Sequence, residues 1–218
     1  MKYIVEHMEE GFSEWVILEY AKILSDVGKE NLIICSLPST TTSSDIPTKL
    51  LELGLKWTTK ELDKINEEYP DFHYYTPESG KKICLLDPRA EEDLTCSDVE
   101  NFDCMVLGGI LGNHPPRDRT AELKVKYPGL LVGRRLGDKQ MSTDTAARTA
   151  FYILEKKIEF ENIKFIDYPE FRFNKNEAVE MPFRYIIDEK TGKPILPDGM
   201  LELIKEDSEQ SLDDLLAE

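Results

Sequence analysis

The sequence lacks the long apolar runs and the basic start that mark membrane and secreted proteins. No run approaches the ~20 apolar residues that cross a bilayer. The first ten residues, MKYIVEHMEE, carry acids where a secretory signal carries bases. We therefore expect a soluble, cytoplasmic protein that makes no membrane contact.

Basic residues are also in deficit. The chain has 27 Lys and Arg against 43 Asp and Glu, which gives a net charge of −16. Proteins that bind phosphate backbones usually show the opposite balance, because Lys and Arg must replace the released counterions. RNA is therefore the less expected partner, although a local basic strip would still serve it. The acidic balance favours a cationic partner such as a basic protein.

Cysteine and histidine are too few and too scattered to indicate a structural metal site. The four cysteines show no C-x-x-C spacing, and the three histidines lie far apart in the chain. We therefore predict no bound metal. Cys35, Cys84 and Cys104 lie inside apolar runs, where a reduced cysteine is usually a small core residue.

The length of 218 residues is typical of one domain with an appendage, since domains average about 150 residues. We predict a single domain over residues 1–200 and an acidic tail over residues 201–218. From Glu202 to Glu218 the chain has seven acids and one lysine. The leucines in this tail leave two alternatives, a docked amphipathic segment or a solvated one, and we favour the solvated one.

Short apolar runs alternate with amphipathic stretches along the chain. Near-continuous apolar runs are typical of strands buried on both faces, as in a parallel sheet between layers of helices. The alternation predicts an α/β fold with a largely parallel sheet. The predicted strands cover residues 2–8, 32–37, 83–87, 102–107, 130–132 and 163–165.

The amphipathic stretches predict the helices. In the first, apolar residues recur at helical spacing from Val16 to Val27, and Gly28 is placed to end the helix. Another helix opens at Ser142, Thr143 or Asp144, and a third is predicted over residues 117–127. The stripe of the helix that opens near Ser142 consists of Ala147, Ala150, Phe151, Leu154 and Ile158.

Two loops follow predicted strands at the position where open α/β sheets bind ligands. The first starts at Leu107-Gly108-Gly109-Ile110-Leu111-Gly112 and matches neither a dinucleotide fingerprint nor a P-loop. Its glycines let the backbone approach a ligand closely, which suits an adenine or a thioether, and a plain turn is an equal alternative. The second loop, residues 134–146, turns at Gly137 and enters a helix whose first polar residues would cap it in any fold.

Together the two loops carry a resemblance. Gly108-Gly109-Ile110-Leu111-Gly112, a helix, a strand and then Arg135-Leu136-Gly137-Asp138-Lys139-Gln140-Met141 resemble the C-terminal half of the SPOUT methyltransferases. In that family this half forms a trefoil knot that binds S-adenosylmethionine. Residues 3–15, 85–90, 114–120 and 165–171 are similar to the eukaryotic branch that methylates arginine. The substrate of that branch is a small-subunit ribosomal protein at the channel through which messenger RNA enters.

The resemblance implies the fold, the cofactor and the residues that bind it. The fold would be a SPOUT-type parallel sheet with helices on both faces and a C-terminal trefoil knot, and the protein would act as a monomer. S-adenosylmethionine would lie between the two loops. One wall would consist of Leu107, Gly108, Gly109, Ile110, Leu111 and Gly112, and the other of Leu136, Gly137, Met141, Thr145 and Ala146.

An arginine acceptor requires acids. Its guanidinium stays protonated, so its nitrogens are poor nucleophiles. Carboxylates that bind the guanidinium both align it and offset its charge. Asp118 and Glu170 are further acids in suitable places, and each acid taken singly can also be read as a surface group or a helix cap. The acids that we predict to be catalytic are Glu6, Glu9, Glu10 and Asp144.

Three functions from different classes remain open at this point. The first is a protein-arginine N-methyltransferase that acts on a basic ribosomal protein. The alternative is a SPOUT RNA methyltransferase that acts on ribosomal or transfer RNA, whose phosphates would need Arg117 with Arg119 or Arg134 with Arg135. The third is a binding module that keeps the pocket without catalysis. The acidic balance favours the first.

Overall fold

The computed structural model describes residues 1–9, 11–72, 82–108, 119–175 and 178–207. A six-stranded sheet in the order β3-β2-β1-β5-β4-β6 forms its centre, and every strand pairing in that sheet is parallel. This confirms the predicted α/β fold with a parallel sheet. The strands are β1 Lys2–Glu6, β2 Leu32–Cys35, β3 Lys56–Trp57, β4 Lys82–Leu86, β5 Phe102–Gly108 and β6 Leu131–Arg134.

Helices cover both faces of the sheet. They are α1 Glu14–Val27, α2 Thr48–Glu52, α3 Arg119–Lys126 and α4 Thr143–Leu154. Alternate residues of each strand point to opposite faces. Tyr3 and Val5 therefore pack in one core with α1, α2 and α4, while Ile4 packs in the other with α3. The apolar strand runs arise because both faces are buried.

The ends of α1 follow its capping residues. The Ser13 hydroxyl accepts a hydrogen bond from the backbone N–H of Val16 at 3.3 Å, which satisfies a donor of the first turn. Gly28, at φ 86°, donates its N–H to the Leu24 carbonyl at 3.0 Å. A side chain at that φ would be strained, so the predicted helix end at Gly28 is confirmed.

Several predicted boundaries were wrong. The strands predicted over residues 2–8 and 32–37 each end two residues earlier, at Glu6 and Cys35. The helix that carries Ala147 and Ala150 ends at Leu154 and does not reach Ile158. The chain turns at Lys157, which has a φ of 56°, so Ile158 packs against the core from outside the helix. The strand predicted over residues 163–165 is shifted to β7, Phe165–Asp167, because the preceding residues form a 3-10 turn that places the Ile163 N–H on the Phe160 carbonyl at 3.1 Å.

Two small two-stranded sheets form after α4 in the C-terminal part of the chain. β7 pairs antiparallel with β10, Arg184–Ile186, and β8, Glu170–Arg172, pairs with β9, Ala178–Glu180. Residues 200–207 are helical and run across the predicted boundary at residue 200, with Met200 and Ile204 buried. The division into domain and tail stays a prediction, because residues 208–218 lie outside the described residues. No helix in the described ranges is both long and apolar enough to cross a membrane.

Candidate functional site

The parallel register brings several strand ends to one edge of the sheet. Glu6 at the end of β1 pairs with Gly108 at the end of β5, and Leu86 of β4 pairs with Arg134 of β6. A cavity of about 410 Å³ opens at this edge. Its volume lies within the range of small-molecule sites, and ligands of open α/β sheets bind at this edge.

Most described residues of the two predicted walls line this cavity. The described members that do so are Leu107, Gly108, Leu136, Gly137, Met141 and Ala146. Thr145 is buried behind the wall, where its hydroxyl oxygen accepts a hydrogen bond from the Ser142 hydroxyl at 2.9 Å. Gly109, Ile110, Leu111 and Gly112 lie outside the described residues. The structure therefore brings the described parts of the two loops to one cavity.

Close packing requires one glycine of the walls. A Cβ on Gly108 would lie 3.4 Å from the Arg119 Cβ, which is an ordinary van der Waals distance. Gly137 has a φ of +71°, and a Cβ there would lie 2.8 Å from the Phe160 ring. The backbone at Gly137 can therefore run next to that ring only because it carries no side chain. The turn predicted at Gly137 is confirmed.

The segment after β4 also lines the cavity, which the sequence analysis missed. Asp87 is buried there and accepts hydrogen bonds from the Arg89 N–H at 2.9 Å and the Thr120 hydroxyl at 3.0 Å. The Lys124 ammonium pairs with its other oxygen. Burial alone would raise the pKa of Asp87, but Lys124 and these hydrogen bonds hold that pKa below its ordinary value. The only available signal was the Asp-Pro step that ends an apolar run.

Of the N-terminal acids, Glu6 and Glu9 are described and neither lines the cavity. Glu6 is buried, and its carboxylate accepts hydrogen bonds from Lys126 Nζ at 2.8 Å, the Tyr127 hydroxyl at 3.0 Å and Cys35 Sγ at 3.0 Å. Glu9 forms an ion pair with the buried guanidinium of Arg119. Glu10 lies outside the described residues, as does Asp118.

His7 follows β1 and is a packed side chain. Its Nδ1 shares a hydrogen bond with the Tyr20 hydroxyl at 2.9 Å, and its ring stacks on Phe12 with 5.0 Å between centroids. Burial lowers the pKa of His7, and the nearby Arg119 lowers it further, while Glu9 acts in the opposite direction. The ring is therefore neutral at pH 7.

The fourth predicted acid, Asp144, lies in a different buried cluster. It sits in the first turn of α4, 3% exposed, and burial and the nearby Asp26 raise its pKa to about 6. Glu19 of α1 faces it and is 1% exposed, and burial and the Asp144 charge raise the pKa of Glu19 as well. The indole of Trp15 donates a hydrogen bond to Glu19 at 2.6 Å.

Thr143 connects this cluster to the cavity. Its side chain lines the cavity, and its backbone N–H and hydroxyl approach the Glu19 carboxylate. Glu19 was missed by the sequence analysis. A signal existed, because Glu19 lies three residues after Val16 and next to Tyr20, on the apolar stripe of α1. A charged residue within such a stripe marks a buried charge.

Comparisons with known proteins agree with this geometry. The model of the family described as protein arginine N-methyltransferase SFM1-like matches residues 2–211. The chain is 67% identical over 216 residues to protein arginine N-methyltransferase SFM1 of Saccharomyces cerevisiae, which covers 99% of this chain and 100% of the relative.

Solved structures are similar over nearly the whole chain. The yeast arginine methyltransferase SFM1 complexed with SAM superposes with a TM-score of 0.88 at 65% identity, covering 95% of this chain and 91% of that one. The complex of the same yeast enzyme with SAH has a TM-score of 0.87 at 65% identity, with coverage of 93% and 94%. These likenesses confirm the resemblance on which the fold was predicted.

A distant likeness supports the fold alone. The dual specific Trm10 from Thermococcus kodakaraensis is 12% identical with a TM-score of 0.50, over 74% of this chain and 96% of that one. The predicted SPOUT-type architecture is thereby confirmed at the level of the sheet and its helices. The trefoil knot stays a prediction, because residues 109–118 of the loop that would form it lie outside the described residues.

Proposed function

Because the chain belongs to the protein arginine N-methyltransferase SFM1-like family, we infer that it is an S-adenosylmethionine-dependent methyltransferase that acts on arginine. The observation that carries this function is the cavity at the carboxyl edge of the sheet. The described parts of both loops that the resemblance assigns to the methyl donor line it. The yeast relative, whose fold is the same, was crystallised with SAM and with SAH.

The walls of the cavity suit the methyl donor. The apolar side chains of Leu107, Leu136 and Met141 would flank the adenine and the thioether, while the backbones at Gly108 and Gly137 would read the polar edges. S-adenosylmethionine supplies a methyl group on a sulfonium, from which a neutral thioether is an efficient leaving group. The protein has to hold that sulfonium and the acceptor nitrogen in line.

The acceptor sets the chemical demand on the chain's own residues. When the acceptor nitrogen forms its bond to the methyl carbon, the carbon–sulfur bond breaks and its electron pair stays on sulfur. The arginine product remains a cation, so one N–H proton passes to a base, which is a nearby carboxylate or water. A carboxylate next to the guanidinium aligns it and stabilises the charge. Of the predicted acids, we propose Asp144 for this role, since it lies next to Thr143 of the cavity wall.

We further propose that the acceptor arginine belongs to a basic small-subunit ribosomal protein, the one at the channel through which messenger RNA enters. The net charge of −16 supports a cationic substrate. We propose that the protein acts as a monomer, as the resemblance implies, and that it does so in the cytoplasm.

The described arginines that an RNA substrate would need are paired with acids. Arg134 contacts Glu92 at 2.8 Å and Asp98 at 3.2 Å. Arg135 contacts Asp93 at 2.5 Å, and Arg119 is paired with Glu9. Because these guanidiniums already have anionic partners, the described part of the chain offers no free strip of these arginines to phosphates. The RNA methyltransferase is the weaker candidate for this reason.

A transfer assay with labelled S-adenosylmethionine tests the proposal. Free small-subunit ribosomal proteins and deproteinised ribosomal and transfer RNA are offered in separate tubes, with excess S-adenosylhomocysteine as the inhibited control. We expect ribonuclease-resistant label in one protein, mapped to an arginine. Label in RNA alone would overturn the acceptor. Label in neither, with the cofactor bound in calorimetry, would favour a binding module.

A further inference from the structure

Two buried carboxylates next to the cavity have no cation of their own among the described residues. We call Glu19 and Asp144 the acid pair. The two side chains are 1% and 3% exposed and interact electrostatically. Burying an anion without a compensating partner is unfavourable. A fold that keeps two such groups together therefore has a use for them.

The nearest cationic side chain is engaged elsewhere. Arg148 faces Asp144 from one turn further along α4, but its guanidinium binds the Asp26 carboxylate through two nitrogens, with Nε at 2.7 Å. Lys22 also pairs with Asp26, at 3.1 Å. Asp26 thus takes both charges, and the acid pair keeps a net negative charge when it ionises.

Three oxygens around the acid pair have no hydrogen bond of good geometry to any described residue. They are Glu19 Oε2, Asp144 Oδ1 and the hydroxyl oxygen of Tyr185, which is 1% exposed. Tyr185 lies on β10 and interacts electrostatically with both acids. An ionised carboxylate oxygen can only accept a hydrogen bond, and the hydroxyl oxygen of Tyr185 can accept one as well as donate its own proton. These oxygens therefore suit a ligand that donates, and a guanidinium has five N–H groups and no acceptor.

The acid pair also lies in the right place relative to the cavity. Thr143 lines the cavity on one side and approaches Glu19 on the other. The indole of Trp15, which is partly exposed, contacts Glu19 directly. A side chain that enters beside Trp15 would therefore reach the acid pair and the wall of the cavity together.

We propose that Glu19 and Asp144 together bind the guanidinium of the acceptor arginine, with the Tyr185 hydroxyl as a third acceptor. This inference rests on the proposed function and adds Glu19 and Tyr185 to its machinery. The two carboxylates hold the cation from two sides, which orients one nitrogen towards the cavity and offsets the positive charge of the sulfonium next to it.

Binding of the acceptor should release a proton. Burial and mutual repulsion raise the pKa of both acids, that of Asp144 to about 6, so the free pair retains a proton below about pH 6. The groups that face it are Asp26, Arg148 and Tyr185. A bound guanidinium favours the fully ionised pair and expels that proton. Affinity for the acceptor should then rise as the pH rises, by up to tenfold per pH unit.

The test uses the variants Glu19→Gln and Asp144→Asn, with Glu14→Gln as the matched control. Glu14 is an exposed acid on the same helix, so its variant makes the same change in charge without touching the pair. The substrate is a peptide that spans the labelled arginine. We expect each pair variant to lower kcat/KM about 10- to 100-fold, mainly through KM, as for hydrogen bonds to charged groups. The affinity for S-adenosylhomocysteine should stay within about twofold.

A pH series and a third variant separate binding from a structural role. The KM of the unaltered protein for the peptide should fall as the pH rises through about 6, and this dependence should flatten in Glu19→Gln. Tyr185→Phe removes one hydroxyl that makes no hydrogen bond of good geometry, so it should fold normally and still raise KM several-fold.

Three outcomes would contradict the proposal in different ways. If the unaltered protein methylates arginine and the pair variants keep their KM and its pH profile, the acid pair does not bind the acceptor. If the variants lose S-adenosylhomocysteine affinity in parallel with activity, the pair only supports the fold. An unaltered protein that labels no arginine in any substrate would overturn the proposed function itself, and the acid pair's role with it.

Discussion

The two faces of the sheet bury their acids in different ways. On the face covered by α3, Glu6 receives hydrogen bonds from an ammonium, a phenol and a thiol. On the face covered by α1 and α4, Glu19 and Asp144 face each other, and each keeps an oxygen without a well-placed donor among the described residues. Both arrangements are buried, so exposure does not distinguish them.

The difference lies in compensation. A buried carboxylate whose partners come from the fold itself stabilises that fold and has little capacity left for a ligand. A buried carboxylate without such partners destabilises the free protein and becomes favourable only when a cation arrives. We therefore infer that Glu6 contributes to stability, and we propose that the acid pair binds the acceptor, although Glu6 and Asp144 were both predicted to be catalytic.

The largest effect on stability should come from Glu6→Gln. The change replaces a charged acceptor of three hydrogen bonds, and we expect the free energy of unfolding to fall by about 1–3 kcal/mol. The loss in the free energy of unfolding is limited because Lys126 is about a third exposed and can still pair with Glu61 at 3.3 Å. Urea unfolding measures the loss.

The kinetics of Glu6→Gln test whether Glu6 contributes to stability alone. The affinity for S-adenosylhomocysteine and the KM for the peptide should both stay near those of the unaltered protein. A normal unfolding curve combined with a large rise in KM would instead place Glu6 in the acceptor site.

Asp144→Asn should change stability in the opposite direction. A carboxyl whose folded pKa of about 6 exceeds its ordinary value of 3.8 stabilises the fold only while protonated, and that stability is lost as the pH rises through 6. The Asp144→Asn variant does not lose this stability, because asparagine cannot ionise. Its unfolding free energy relative to the unaltered protein should therefore increase by about 1 kcal/mol between about pH 5 and about pH 8. A difference that is independent of pH would contradict the raised pKa.

Sequence patterns predicted most strands of the central sheet, because burial on both faces produces a continuous apolar stretch of sequence. A strand covered on both faces must be apolar at successive positions, and the runs around Ile34, Leu85 and Val106 show this directly. The two-residue strand β3 and the three-residue strands β8, β9 and β10 were not predicted. They are too short for alternation, and β8 and β9 each bury at most one side chain in part.

Only part of the site could be predicted from the sequence, because only part of it has a local sequence pattern. The two glycine-containing loops have local signatures, and their described parts line the cavity. Asp87 enters the cavity because β4 lies between β5 and β6, and no local pattern encodes that order. Glu19 and Asp144 are far apart in the chain and meet only because α1 packs against α4. Their pairing is a property of the tertiary structure.

Ionic strength tests whether the whole surface adds to the acid pair. A net charge of −16 should attract a basic protein over a distance that shrinks with the Debye length, from about 14 Å near 50 mM salt to about 4 Å near 500 mM. We expect kcat/KM on the ribosomal protein to fall roughly three- to tenfold over that range. A short arginine peptide carries less charge and should lose less. Equal salt profiles for protein and peptide would show that the acid pair alone recruits the substrate.

The smallest effect should come from Lys126→Met, which removes the cation from Glu6 while leaving the carboxylate. Lys126 is about a third exposed, so its ion pair is worth less than a buried one, and its stem can still pack on the Tyr127 ring. Tyr127 and Cys35 remain as donors to Glu6. We expect a loss of about 0.5–1 kcal/mol in the free energy of unfolding, measured by urea titration at neutral pH. The free energy of unfolding could instead fall by more than it does in Glu6→Gln. The Glu6 carboxylate without its cation would then destabilise the fold as much as the acid pair does. Hydrogen bonds alone would not explain why the face covered by α3 tolerates a buried acid.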